Sequence, residues 1–346
     1  MQYVGIDVHT RSSQLCFVDD NGEITEKRIP TERTLLQDLF RDTPPSKVLL
    51  EATTEGEWVA RCIEELGHEV VVADANYAPM YATLNRRVKT DRRDAQALCD
   101  ACRLGAYRPA HRCSERGRQL RTTIGVREAL VRTRSRYISL MRAHLRRDGY
   151  RIPSGGVISF ERRVGEVQIH QRLQEQIEPL LGMMEKLNQQ IRAIDRQLEE
   201  QVKNDPVAQR LCSVPGIGPV TALLFISVVD QVERFSSAHR LAAYLGLVPR
   251  EFSSGEKRFR GRITKAGNPR LRFLLVEAAW RILCRPRPET EYLQRWAERI
   301  SERHGRNVAV VALARKLSGI LYAIWRDGTE FYSPAQRKAA KEVLTA

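Results

Sequence analysis

Four acidic residues stand where their surroundings suggest chemistry. Asp7 closes the apolar run "QYVGIDV", Glu51 closes "SKVLLE", and Asp91 and Asp94 sit three apart in "KTDRRDA". A carboxylate at the end of a core strand is either a tolerated edge residue or a group placed there to hold something positive. Residues three apart on a helix share one face, so Asp91 and Asp94 form a second pair. Four converging carboxylates repel one another unless cations lie between them. Two Mg2+ ions roughly 3.5–4 Å apart, clamping the attacking and leaving oxygens of a phosphodiester, are the usual reason for such a set. The plainer reading pairs Asp91 and Asp94 with the neighbouring Arg92 and Arg93 on a solvated helix face.

A second cluster is basic. The segment "PREFSSGEKRFRGRITKAGNPRLR" (249–272) sets Arg250, Lys257, Arg258, Arg260, Arg262, Lys265, Arg270 and Arg272 around Ser253, Ser254 and Gly255. A serine beside a glycine is ordinarily a turn residue. No GxSxG elbow or Ser–His–Asp set accompanies it, so acyl transfer has no support. A serine ringed by phosphate-binding side chains can instead attack a phosphodiester and hold the DNA end as a phosphoserine. Upstream, "VPGIGPVTA" (214–222) resembles a helix-hairpin-helix element, whose glycine turn would offer backbone N–H groups to a phosphate. The alternative there is a tight turn between packed helices.

The elements that must position these groups follow from pattern. Over residues 1–112, "QYVGIDV", "SQLCFVDD" and "ITEKRIP" read as three strands, with "DDNGE" supplying the turn between the second and third. "TERTLLQDLFRD" reads as a helix capped by Thr31, "SKVLLEAT" as a strand, "GEWVARCIEELG" as a helix and "HEVVVAD" as a strand. A helix through "KTDRRDAQALCDACRLG" closes the region. Three antiparallel strands followed by alternating helices and strands is the order of an α/β ribonuclease-H-like fold. A doubly wound nucleotide-binding sheet would want a glycine-rich first turn instead.

Residues 113–205 read as helical. Leu173, Ile177, Leu180, Met184, Leu187, Ile191, Ile194 and Leu198 alternate spacings of four and three, a coiled-coil seam interrupted only by Pro179, a kink or a delayed helix start. "YRIPSGG" turns the preceding helix back onto it. Such a long hairpin packs within the chain or joins subunits, and its length favours assembly. From Asp205 to about 328 the chain is basic and mostly α, and 329–346 reads as a peripheral tail.

Composition narrows the partners. The chain has 346 residues, 57 Lys plus Arg against 42 Asp plus Glu and a net charge of +15, which points to a polyanion, most simply nucleic acid. Residues 108–151 carry 13 arginines, no lysine and three acids, a bias toward forked phosphate contacts. No apolar run approaches the roughly 20 residues of a membrane span, and no leader pattern opens the chain. Seven scattered cysteines fit a reducing cytoplasm, and the Cys99–Cys102 pair lacks the partners of a zinc site.

Taken in order, "GIDVHT", "LLEAT", "KTDRRDA", "VPGIGPVTA" and "YLGLVPREFSSGEKRFRGRITKAGNPRLR" closely resemble the DEDD transposases of bacterial insertion sequences, the group that includes Piv-type DNA invertases. The resemblance covers about residues 1–325. It implies a RuvC-like nuclease domain (1–112), an arginine-rich and coiled-coil segment (113–205) and a C-terminal transposase domain (206–328). It further implies Mg2+ bound by Asp7, Glu51, Asp91 and Asp94, a serine nucleophile at Ser254 and a tetramer with a composite site. Donor and target DNA are the implied partners, in some members with a structured guide RNA. Three rivals remain: a RuvC-like endonuclease that uses water, an actin-like kinase, for which a second phosphate loop is missing, and a silent nucleic-acid-binding scaffold.

Overall fold

The computed structural model describes residues 1–81, 90–254, 257–285 and 287–333. The chain divides into two compact units, Met1–Arg112 and Cys113–Ala346.

The first unit is α/β. Its strands are β1 (Gln2–Val8), β2 (Ser12–Val18), β3 (Ile24–Pro30), β4 (Ser46–Glu51) and β5 (Glu69–Ala73). Its helices are α1 (Arg33–Arg41), α2 (Gly56–Glu64) and α3 (Asp91–Leu104). The strands lie in the order β3-β2-β1-β4-β5; the first three are mutually antiparallel, and β4 and β5 run parallel to β1. β1 is central and buried on both faces, which explains its nearly continuous apolar run. On one face Ile6, Leu15, Val48 and Leu50 pack against Leu36, Phe40, Val59 and Ile63 of α1 and α2. On the other, α3 lies over β1 and β2 with Ala95 and Cys99 against Cys16 and Val18. Gly5 makes that approach possible: a Cβ there would sit 2.2 Å from both the Ala95 oxygen and the Cys99 nitrogen. A glycine inside a strand often marks such a backbone contact.

One local expectation changes. Thr31 does not cap α1; the N-cap is Glu32, without a side-chain bond. The Thr31 hydroxyl donates instead to the His9 carbonyl at 2.7 Å and lies 2.8 Å from Ser13 Oγ, pinning the turn that follows β1. Cys99 and Cys102 are buried, their thiols donating to the carbonyls of Tyr3 and Lys47 on neighbouring strands.

The second unit begins with a helical hairpin of α4 (Glu115–Arg147) and α6 (Gln171–Lys203), with the short α5 (Phe160–Gly165) near its tip. The arms are antiparallel. Arg116 meets Asp205, Arg127 meets Asp195, Arg134 donates to Asn188 at 2.9 Å, and Met141 and Leu145 share a core with Leu173 and Ile177. The seam positions Leu173, Ile177, Met184, Leu187, Ile191 and Leu198 are buried within this chain. Pro179 lies inside α6, which starts at Gln171 after the capping residue His170, so the helix start is not delayed.

Beyond the hairpin come α7 (Pro206–Cys212), α8 (Pro219–Val229), α9 (Ala238–Tyr244), α10 (Pro269–Cys284), α11 (Glu291–His304) and α12 (Arg306–Asp327). They share one core with the hairpin's base, where Leu120, Ile124 and Leu198 meet Leu223, Phe225, Leu275 and Leu317. By length and composition alone α12 could cross a membrane, but half of its apolar window is buried here. The mostly α region also contains an unexpected antiparallel pair, β6 (Pro249–Ser254) and β7 (Lys257–Ile263).

The base of that strand pair is clasped by backbone. Gly246 (φ +69°) and Gly267 (φ +66°) let the segments 244–247 and 264–267 touch, since a Cβ on either would fall within 2.3 Å of the other's main chain. Lys265 N–H donates to the Gly246 carbonyl at 3.2 Å, and the Arg272 guanidinium donates to the carbonyls of Leu245 and Gly267 at 3.1 and 3.3 Å. Arg270 lies 3.1 Å from Glu128 of α4. Both arginines, grouped by sequence with the phosphate-binding cluster, are therefore used inside the fold.

Candidate active site

The sheet of the first unit sets where its acidic residues emerge. Ile6 of β1 pairs with Leu50 of β4, so one residue further on Asp7 and Glu51 reach the same end of two neighbouring parallel strands. α3 adds Asp91 and Asp94 in its first turn, behind an N-cap in which Thr90 Oγ1 accepts from the Arg93 N–H at 3.3 Å. Carboxylates are favoured at that positive helix end. Gly5 then decides where the turn lands, by letting α3 lie directly on β1.

The resulting cluster includes a residue that sequence reasoning missed. His9 Nε2 lies 3.1 Å from Asp7 Oδ2 and 3.5 Å from Asp91 Oδ1, and ligand atoms of Asp7, His9 and Asp91 all fall within 4.8 Å of one another. No spacing marked it in the sequence, because His9 follows the strand that ends at Val8 and its partner Asp91 comes from a distant helix. Arg28 of β3 stands 3.8 Å from Asp91, whereas Arg92 is paired with Glu26. For Arg92, the plainer reading of a local pair with Asp91 or Asp94 therefore fails.

Electrostatics match the geometry. The Asp7 side chain is only 14% exposed. Burial pushes its carboxyl above the ordinary range; His9 partly opposes this, while Asp94 and then Asp91 add to it. Asp7 thus feels both α3 carboxylates. A half-buried acid facing two others, with an imidazole alongside, is a donor set that a hard divalent cation would satisfy.

The basic cluster lies in the second unit. Ser253 and Ser254 are the last residues of β6, opposite Arg258 and Lys257 of β7, so they stand on a strand rather than in a free turn. Gly255 lies outside the described residues, as does the tail from 334. The "VPGIGPVTA" segment forms the α7–α8 connection. Gly216 adopts φ +89° against Ala278 of α10, and Pro219 opens α8. Beside this turn a pocket of about 220 Å³ is lined by Arg281, Arg285 and Arg287. A larger cavity of about 940 Å³ between α9 and α12 is floored by Ala242, Leu247 and Val311 and has no carboxylate in its lining, so it is not the cation site.

Comparison with known proteins places this geometry in context. Residues 4–148 match the DEDD transposase model of IS110 elements, and residues 208–294 match the model described as "Transposase IS116/IS110/IS902 family". The transposase for insertion sequence element IS1328 from Yersinia enterocolitica is 30% identical over 333 residues, covering 95% of this chain and 98% of that protein. A probable family 20 transposase from Pseudomonas aeruginosa is 28% identical over 93% of this chain and 96% of its own length. The transposase for IS1111A from Coxiella burnetii is 26% identical over 94% and 89%. With its acidic cluster framed by one family match and its serine-bearing strand by the other, the chain belongs to the IS110/IS116/IS902 family of insertion-sequence transposases, enzymes that cleave and rejoin DNA.

Proposed function

We propose that this transposase cleaves and exchanges DNA strands through a phosphoserine intermediate, using Mg2+ held by the edge of a RuvC-like, ribonuclease-H-like first domain. The observation that carries this reading is the convergence of Asp7, His9 and Asp91 at the end of β1, with Asp94 close enough to raise the Asp7 carboxyl further. Asp7, Glu51, Asp91 and Asp94 are the proposed ligands. His9 orients Asp7 and Asp91, and the Thr31 hydroxyl on its carbonyl fixes the turn it occupies. When bound, Mg2+ would neutralise charge on the scissile phosphate and on the departing oxygen.

Ser254 is the proposed nucleophile. Its Oγ forms a bond to phosphorus as the P–O3′ bond breaks; the serine proton ends on the departing 3′ oxygen, leaving a 5′-phosphoserine and a free 3′-OH. Attack by the 3′-OH of the partner strand reverses the step and regenerates serine, so the phosphoester energy is retained. Residues 206–328 act as the domain presenting this serine. Its clasped base, locked by Gly246, Gly267 and Arg272, supports the reading by giving the β6–β7 pair a rigid mount. Donor and target DNA are the substrates. Assembly as a dimer or tetramer, a structured guide RNA and cytoplasmic location complete the proposal.

A covalent-trapping assay tests it. Protein, Mg2+, donor and target DNA and RNA transcribed from the element's ends are incubated and resolved on a denaturing gel. A protein–DNA adduct is expected for wild type and Ser253→Ala and absent for Ser254→Ala and Asp7→Asn. Cleavage without an adduct, indifferent to either serine, would replace this mechanism with a water-using endonuclease.

A further inference from the structure

The arginines of residues 108–151 do not form a continuous phosphate-binding stripe. Along the shaft of the hairpin most of them are paired within the fold, Arg136 being exposed. Arg116 and Arg127 meet acids of the opposite arm or its end, Arg134 meets Asn188, and Arg132 pairs with Glu128 in its own helix. Arg121 donates to the Ser227 carbonyl at 2.7 and 3.1 Å.

At the tip the pattern reverses. A pocket of about 360 Å³ is lined by Arg142, Arg146, Tyr150, Arg151 and Ile152, with no carboxylate among them. The Arg146 and Arg151 guanidinium groups are exposed and have no partner among the described residues. Asp148, the nearest acid in sequence, faces Arg147 at 3.6 Å and His170 at 3.7 Å.

The pocket is built rather than incidental. Arg142 stacks on the ring of Phe160, 5.4 Å from its centroid, and Phe160 is fully buried. Arg163, itself 6% exposed, ties the loop that carries Arg151: its guanidinium donates to the carbonyls of Pro153, Gly156 and Ser159. Tyr150 accepts the His170 N–H at 3.1 Å, fastening the same loop to the start of α6. Three guanidinium groups are thus gathered around one concavity with no carboxylate in its lining. Arginine's planar fork suits phosphate oxygens, and like charges so placed favour an anion between them.

We infer that the hairpin tip is a phosphodiester-binding site that grips the backbone of a nucleic acid. The tip stands roughly 50 Å along α4 from the hairpin's base, given 33 residues at about 1.5 Å each. This inference rests on the recombinase reading only for the choice of nucleic acid as the polyanion; the anion site itself follows from the side chains.

The test is equilibrium binding without Mg2+, so that no chemistry intervenes. Fluorescence anisotropy is measured for a labelled duplex DNA and, separately, a labelled single-stranded RNA, across a range of KCl concentrations. Full-length Arg146→Gln/Arg151→Gln is compared with wild type and with Arg192→Gln/Arg196→Gln, which removes equal charge from the shaft. Thermal melts establish that all three are equally folded. The expected result is a shallower dependence of log affinity on log salt for the tip variant alone. Two lost contacts reduce the slope by about 1.8 on duplex or about 1.4 on a single strand. A change confined to the duplex assigns the tip to DNA, one confined to the single strand assigns it to RNA, and a change in both assigns the shared backbone. A tip variant indistinguishable from wild type or from the shaft control overturns the site while leaving the recombinase reading intact. Wild type that binds neither probe overturns both.

Discussion

The acidic edge of the first unit and the arginine hairpin of the second handle crowded like charge in opposite ways. Along the hairpin shaft, arginines are answered by Asp195, Asp205, Glu128, Asn188 and a backbone carbonyl, and their charge is absorbed by the fold. At the edge of the first unit, Asp7 is held beside Asp91 and Asp94 although both make it harder to ionise, with the His9 imidazole and Arg28 alongside. Local charge density is similar in kind, yet only uncompensated charge calls for a ligand. Counts of basic or acidic residues locate a region, whereas their partners locate a site.

The acidic edge depends most heavily on Gly5. Gly5→Val places side-chain atoms against the backbone of α3, and overpacking of this kind destabilises by about 1–3 kcal/mol, here toward the upper end because the obstacle is main chain. A large loss in the melting temperature of the first unit is expected, with cation binding lost alongside. A variant that melts like wild type would show that α3 does not need this approach.

His9→Ala sharpens the same contrast with a smaller effect. Removing a side chain that orients metal ligands weakens Mn2+ or Mg2+ binding about 10–100-fold, measurable by calorimetry. The sign of its pH dependence also follows. A cation needs Asp7 ionised, so affinity falls as pH drops through the raised Asp7 value. Without His9 that value rises further, and the fall-off moves to higher pH.

The smallest effect tests the compensated region. Glu161 accepts from Asn188 at 2.9 Å, but burial and then Glu185 push its carboxyl above the usual range. Folding therefore disfavours its charged form, and stability is lost as pH rises from the unfolded value through the folded one. Glu161→Gln keeps the acceptor and removes the charge. A gain of about 2 °C at neutral pH is expected, disappearing in acid where Glu161 is protonated in both states.

Much of this was legible in the sequence, for physical reasons. Asp7 and Glu51 stood out because a charged residue interrupts runs that otherwise alternate or stay apolar, and the neighbouring of β1 and β4 then follows from the order of the elements. The seam of α6 was legible because its spacing is a local property. His9 was not, since a lone histidine after a strand has no diagnostic spacing until α3 closes over it. The inward use of Arg270 and Arg272 was hidden because their partners, Glu128 and the carbonyls of 245–267, are set by tertiary packing. The β6–β7 pair went unread beneath dense charge, although "KRFRGRI" alternates with the period of a strand.

The antiparallel register of α4 and α6 has a consequence for how such a protein can change over time. Each step toward the tip on one arm is answered by a step back on the other, from Arg116 and Asp205 through Arg127 and Asp195 to Arg134 and Asn188. An insertion in one arm alone would slide every pair beyond it out of reach. Length can therefore be gained or lost only as matched segments in both arms, in units of about seven residues that keep the apolar seam facing inward. Such paired changes would carry the tip nearer to or farther from the helical core while leaving its own residues untouched, so the hairpin's reach can diverge in steps.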